Sequence, residues 1–141
     1  MGYENMTDAQ ILEKLLNAEE APIPEKTVVI KRLGIPIVLK GISEKQLAAL
    51  RNKYTHTERG KRGMPDTEKF DSENFTLGLI AACTVKPNFK AEELLNKYQA
   101  SGPEEVLKRI FLPGELEQLS DVVYDLCGYD TGIEEIDELK N

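Results

Sequence analysis

Apolar residues recur along this chain in two rhythms, and the changes between them mark out its elements. Thr7-Asp8-Ala9-Gln10 has the form of a capping box, and Ile11, Leu12, Leu15 and Leu16 follow at helical spacing. This predicts a short amphipathic helix whose stripe needs a partner surface. Glu19 to Glu25, with Pro22 and Pro24, reads as an extended linker because each proline disfavours helix at the residue before it. The rhythm then becomes that of strands. Thr27 to Leu33 and Ile35 to Lys40 are rich in β-branched residues and bracket Gly34, which predicts a hairpin with Pro36 on an edge or at a strand start.

Helical spacing returns at Ser43-Glu44-Lys45-Gln46, a second capping box leading to Leu47, Leu50 and Tyr54. Thr55 to Lys69 has no apolar period and contains Gly60, Gly63 and Pro65, so it reads as a mobile loop. From Asp71, the run Asn74-Phe75-Thr76-Leu77-Gly78-Leu79-Ile80-Ala81-Ala82-Cys83 is apolar nearly all round, the mark of a central buried helix capped by Asp71 or Ser72. Gly78 within it suggests a close approach by a neighbouring backbone. Val85 to Phe89 breaks the chain. Three further helices follow, carrying Leu94, Leu95 and Tyr98, then Val106, Leu107 and Ile110, then Leu116, Leu119, Val122, Val123 and Leu126. Pro103 and Pro113 suit the first turns of the last two, and Gly128 suits a left-handed cap.

The expected fold is therefore α+β and predominantly helical, with five to six short helices packed on a small N-terminal β-hairpin. Residues 1–25 form a helix and linker, 26–130 one globular domain and 131–141 an acidic tail. That tail repeats Ile133, Ile136 and Leu139 at every third position, the spacing of a weak helix that orders on binding, but it is read as unbound.

Composition narrows the function more by exclusion than by assignment. With 141 residues, 40% hydrophobic and 30% charged, one core is feasible, and the absence of Trp leaves it to Leu, Ile and Val. No apolar run reaches the length of a spanning helix, and the first fourteen residues lack a signal-peptide pattern, so the expected location is cytoplasmic. The net charge of -7 is unevenly placed. Residues 1–25 carry six acidic side chains against Lys14, residues 130–141 carry five against Lys140, and residues 51–63 carry five basic ones against Glu58.

No catalytic set emerges, and no metal or cofactor is expected. His56 stands alone in a polar segment, without a second ligand at zinc spacing. Cys83 and Cys127 fall in apolar helical patterns and read as buried free thiols. Ser43, Ser72, Ser101 and Ser120 lack a nucleophile setting, and Gly60-Lys61-Arg62-Gly63 lacks the spacing of a phosphate loop. Glu92-Glu93 and Glu134-Glu135 sit on polar faces. Arg51 to Gly63 gives the alternative function, a small nucleic-acid-binding regulator. The acidic balance of the chain and the scarcity of interleaved aromatics disfavour it.

Taken in order, several segments form a pattern: the hairpin with Lys31-Arg32-Leu33-Gly34, the helix from Ser43, Asp71 to Phe89 with Cys83-Thr84-Val85-Lys86-Pro87-Asn88, and Leu112-Pro113-Gly114-Glu115 through Gly128-Tyr129. Over about residues 26–130 the chain resembles the XkdN-like tail assembly chaperones of contractile-tailed phages and prophage-like elements of Gram-positive bacteria. The resemblance implies a non-enzymatic protein of the bacterial host cytoplasm, absent from the mature tail, that binds the tape measure protein and keeps it soluble until the tail tube assembles. Tail tube protein, a frameshifted long form and copies of the chain itself are the further partners it suggests, with no membrane role. Lys140-Asn141 is compatible with adenine-rich slippery codons, which would make this the short form. Ile11, Leu12, Leu15 and Leu16 are the expected partner-binding residues.

Overall fold

A computed structural model describes residues 3–20 and 23–128 of the protein. The chain divides into two units, and the described part of the first is residues 3–20. After a 3-10 turn at Tyr3–Asn5, helix α1 spans Asp8–Asn17. Its capping box forms as expected: the Gln10 amide donates to Thr7 Oγ1 at 3.2 Å, and the Thr7 amide donates to Gln10 Oε1 at 2.9 Å. The two bonds satisfy backbone donors that a helix start otherwise leaves open.

The second unit begins with the expected hairpin, β1 at Glu25–Ile30 and β2 at Ile35–Lys40, paired antiparallel from Glu25 opposite Lys40 to Ile30 opposite Ile35. β1 stops three residues earlier than the apolar pattern suggested. Lys31 to Gly34 instead close a turn, with Gly34 at φ +65° donating its amide to the Ile30 carbonyl at 2.8 Å. Helix α2, Glu44–Lys53, starts on the second capping box and ends before Tyr54, as expected.

Residues 55–69 correct the expectation of a loop. They hold a second hairpin, β3 at Thr55–Glu58 and β4 at Thr67–Phe70, with Thr55 opposite Phe70 and Glu58 opposite Thr67. Both faces are largely polar, so no apolar alternation announced it. Its supports are local: the Gly60 amide donates to Asp66 Oδ1 at 2.8 Å, Lys69 Nζ lies 3.1 Å from Glu58, and the Phe70 ring packs 5.2 Å from Phe75.

Helix α3, Ser72–Cys83, is the central buried helix, and Asp71 rather than Ser72 caps it, accepting from the Asn74 amide at 3.1 Å. Directly after it, Thr84–Lys86 form β5, a strand the sequence reading took only as a chain break. β5 pairs antiparallel with β2 through Val38 and Leu39, giving the order β1-β2-β5 with an irregularity between those two residues. The strands are thus not confined to the N-terminal hairpin. Pro36 lies in the middle strand but near its start, where β5 does not reach, so its missing amide breaks no bond on that side.

Helices α4 (Glu92–Tyr98), α5 (Pro103–Ile110) and α6 (Pro113–Leu126) complete the unit, with Pro103 and Pro113 in first turns and Gly128 left-handed at φ +83°. The core lies where α3, α5 and α6 meet β2. Ile37 and Leu39 of β2, Leu79 and Ile80 of α3, Val106 and Leu107 of α5, and Leu119 and Val123 of α6 are almost wholly buried. Each such aliphatic side chain contributes about 1.5–3 kcal/mol relative to exposure. Gly78 faces not a backbone, as expected, but the Tyr54 ring: a Cβ placed there would collide with the tyrosine oxygen and the ring carbons beside it.

Candidate interaction surfaces

The residues expected to bind a partner all lie on α1, and all four are exposed. Ile11 is 44% accessible, Leu12 50%, Leu15 64% and Leu16 84%. A helix with no buried residue and four exposed aliphatic side chains has an apolar face available to a partner. The opposite face, with Gln10, Glu13 and Asn17, borders an open hollow that also includes Tyr3, Met6 and Lys14.

In the second unit the segments that carried the family resemblance converge. Arg32, in the β1–β2 turn, lies against the start of α6, 83 residues away in sequence. Its Nη2 donates to Glu115 Oε1 at 2.8 Å and to the Ile110 carbonyl at 2.7 Å, while Nε lies within 3.3 Å of both Glu115 oxygens. Glu115 also accepts from the Leu112 amide at 2.8 Å, capping α6 from within. The Arg32 hydrogen bond, then that amide, hold the Glu115 carboxyl below its ordinary pKa, and Glu115 raises that of Arg32. One carboxylate therefore joins Lys31-Arg32-Leu33-Gly34 to Leu112-Pro113-Gly114-Glu115. Sequence spacing carried no sign of this pair.

A second convergence joins the ends of α3 and α6. Cys83 and Cys127 are both free thiols, as the sequence suggested, with sulfur atoms 4.0 Å apart. Cys83 is buried and Cys127 half-buried. Burial, then the neighbouring Cys127, push the Cys83 thiol up to about 12, which keeps it protonated and a poor nucleophile at neutral pH. Tyr54, itself buried, donates its hydroxyl to Glu104; desolvation first, then that carboxylate, raise its pKa.

The remaining chemical candidates take structural or solvated positions. Ser43 caps α2, accepting from the Gln46 amide at 3.3 Å, and Ser101 Oγ donates to Glu105 at 2.9 Å. Ser72 opens α3 and Ser120 lies within α6. His56 is exposed on β3 opposite Lys69, and among the described residues no group of three metal-ligating side chains forms. Glu92 and Glu93 occupy the first turn of α4, where the helix dipole favours them. Arg59, Lys61 and Arg62 sit exposed between β3 and β4. The Glu134-Glu135 pair and the Ile133, Ile136, Leu139 repeat lie outside the described residues.

The order of these segments is matched by a family model for the phage XkdN-like tail assembly chaperone protein over residues 12–140. The chain belongs to that family. Among similar proteins of Bacillus subtilis strain 168, YqbN is 29% identical over 126 residues, covering 87% of this chain and 84% of its own. The phage-like element PBSX protein XkdN is 26% identical over 128 residues, covering 89% and 86%. A crystal structure of the protein YqbN superposes with a TM-score of 0.61 at 22% identity, over 83% of this chain and 95% of that one, so the fold is shared. For an XkdN-like tail assembly chaperone a non-enzymatic role is the family expectation, and the motif residues serve the fold. Among the described residues no helix is long and apolar enough to cross a membrane.

Proposed function

We propose that this XkdN-like chaperone binds the tape measure protein of its own phage or prophage-like element and keeps it soluble until the tail tube assembles around it. It does so in the host cytoplasm and leaves before the tail is complete. The observation that carries the reading is α1, whose Ile11, Leu12, Leu15 and Leu16 form an exposed apolar face. A long helical client offers matching apolar faces, and helix-to-helix burial of such stripes is a common mode of recognition. Tail tube protein and a frameshifted long form of the chain are further partners of the same assembly. The test is capture of the tape measure chain from cells expressing the neighbouring tail genes, at high salt with nuclease, using full-length bait and bait lacking residues 1–20. Full-length bait retains the tape measure chain and the shortened bait loses it. Equal recovery by both would remove α1 from the binding surface, and recovery of nucleic acid alone would favour the regulator reading.

A further inference from the structure

The last four elements of the second unit begin and end at neighbouring sulfur atoms. Cys83 closes α3 and hands the chain to β5, and Cys127 caps α6, so β5, α4, α5 and α6 all lie between two thiols that are 44 positions apart in sequence and 4.0 Å apart in space. Packing holds both flanks of this approach. Leu79 and Ile80, a turn before Cys83, and Val123, a turn before Cys127, are wholly buried. Gly41 lets the connection between β2 and α2 lie directly against the end of α6, since a Cβ there would collide with the Leu126 carbonyl. The two thiols differ in access, Cys83 being buried and Cys127 half-buried, and they are the two cysteines of the chain.

We propose that Cys83 and Cys127 form a reversible redox clasp, closed by a peroxide and reopened by a thiol reductant. Oxidation begins at Cys127, the more accessible sulfur, which takes one oxygen from hydrogen peroxide, releases water and becomes a sulfenic acid. The Cys83 sulfur then attacks Cys127 Sγ: the S–S bond forms, the S–O bond breaks, and the hydroxyl leaves as water with the Cys83 proton. In sum, two thiols lose two hydrogens and one peroxide becomes two waters. A movement of about 2 Å brings the sulfurs from their present separation to bonding distance. Burial, which keeps Cys83 protonated, shields it from direct oxidation, and adjacency rather than acidity drives its attack. Once closed, the bond ties the ends of the segment that carries β5, α4, α5 and α6, which restricts the unfolded chain and stabilises the folded one. In a reducing compartment the pair stays open as free thiols.

The test treats the full, folded chain with hydrogen peroxide, maps tryptic peptides by mass without reduction, and follows thermal unfolding before and after. Peptide mapping is needed because exposed Met64 also takes up oxygen. The expected product is a single chain in which the peptides holding Cys83 and Cys127 are linked, with an unfolding midpoint raised by about 5–15 °C. Dithiothreitol separates the peptides and returns the midpoint to its starting value. Cys127→Ser and Cys83→Ala, each treated in the same way, show neither the link nor the rise. Peroxide treatment that leaves the two peptides unlinked, stops Cys127 at a sulfinic acid or links separate chains overturns the proposal, as does a link within one chain that leaves the midpoint unmoved or lowers it. These outcomes are independent of whether the tape measure chain is the client.

Discussion

Helices α1 and α3 are built from similar material and used in opposite ways. α3 buries Phe75, Leu77, Leu79, Ile80 and Cys83 against the rest of its unit, whereas α1 keeps Ile11, Leu12, Leu15 and Leu16 exposed. Apolar content alone therefore does not tell an enclosed element from an exposed one. What separates them is pattern: α3 is apolar nearly all round and must be enclosed, while α1 has one stripe and a polar back carrying Gln10, Glu13 and Asn17. Fold stability in this protein is concentrated in α3 and its neighbours, and recognition is what we propose for α1.

That contrast is open to attack at both helices. The largest effect is expected at Ile80→Ala, where a fully buried side chain is removed from the centre of α3; urea unfolding should show a loss of about 2–5 kcal/mol. Gly78→Ala should come next. Its methyl group meets the Tyr54 ring, and overpacking of this kind costs about 1–3 kcal/mol even though alanine is the better helix former. Pairing it with Tyr54→Leu should recover part of the loss, a coupling that a thermal-unfolding double-mutant cycle would read directly.

A smaller loss should follow Glu115→Gln, with a distinctive dependence on pH. The folded-state pKa of Glu115 is lowered, so its contribution is present above the ordinary carboxylate range and disappears as pH falls through the depressed value. Asp71 at the α3 cap and Glu105 beside Ser101 act in the same direction. Stability followed from neutral pH into acid should decline below about pH 4.5 and decline less steeply in the glutamine variant. The smallest effect on stability belongs to α1. Leu12→Ser with Leu16→Ser should leave the unfolding midpoint within about 0.5 kcal/mol of the parent, because neither side chain is buried.

The elements that were legible in the sequence are those with local signals. Thr7-Gln10 and Ser43-Gln46 announced two helix starts, Pro103 and Pro113 two more, and the all-apolar run after Asp71 the central helix. The β3–β4 hairpin was missed because Thr55-His56-Thr57-Glu58 and Thr67-Glu68-Lys69-Phe70 alternate without an apolar face, so nothing distinguished strand from loop. β5 was missed because three residues are too few to show a period. The Arg32–Glu115 bridge and the Cys83–Cys127 approach were invisible for another reason: each joins residues far apart in the chain, and only the packing of α3, α5, α6 and the hairpin brings them together. Gly78 was read correctly as a site of close approach, but the approaching group is the side chain of Tyr54.

The central claim is that α1 is held out for a client. Its most direct test is co-expression of the tape measure chain of the same element with the parent protein and with the Leu12→Glu, Leu16→Glu variant, followed by measurement of the soluble fraction of the tape measure chain. The parent should keep that chain in solution, and the variant, though equally folded, should leave it in the pellet. Equal solubility with both proteins would contradict the account and move the client surface to the second unit.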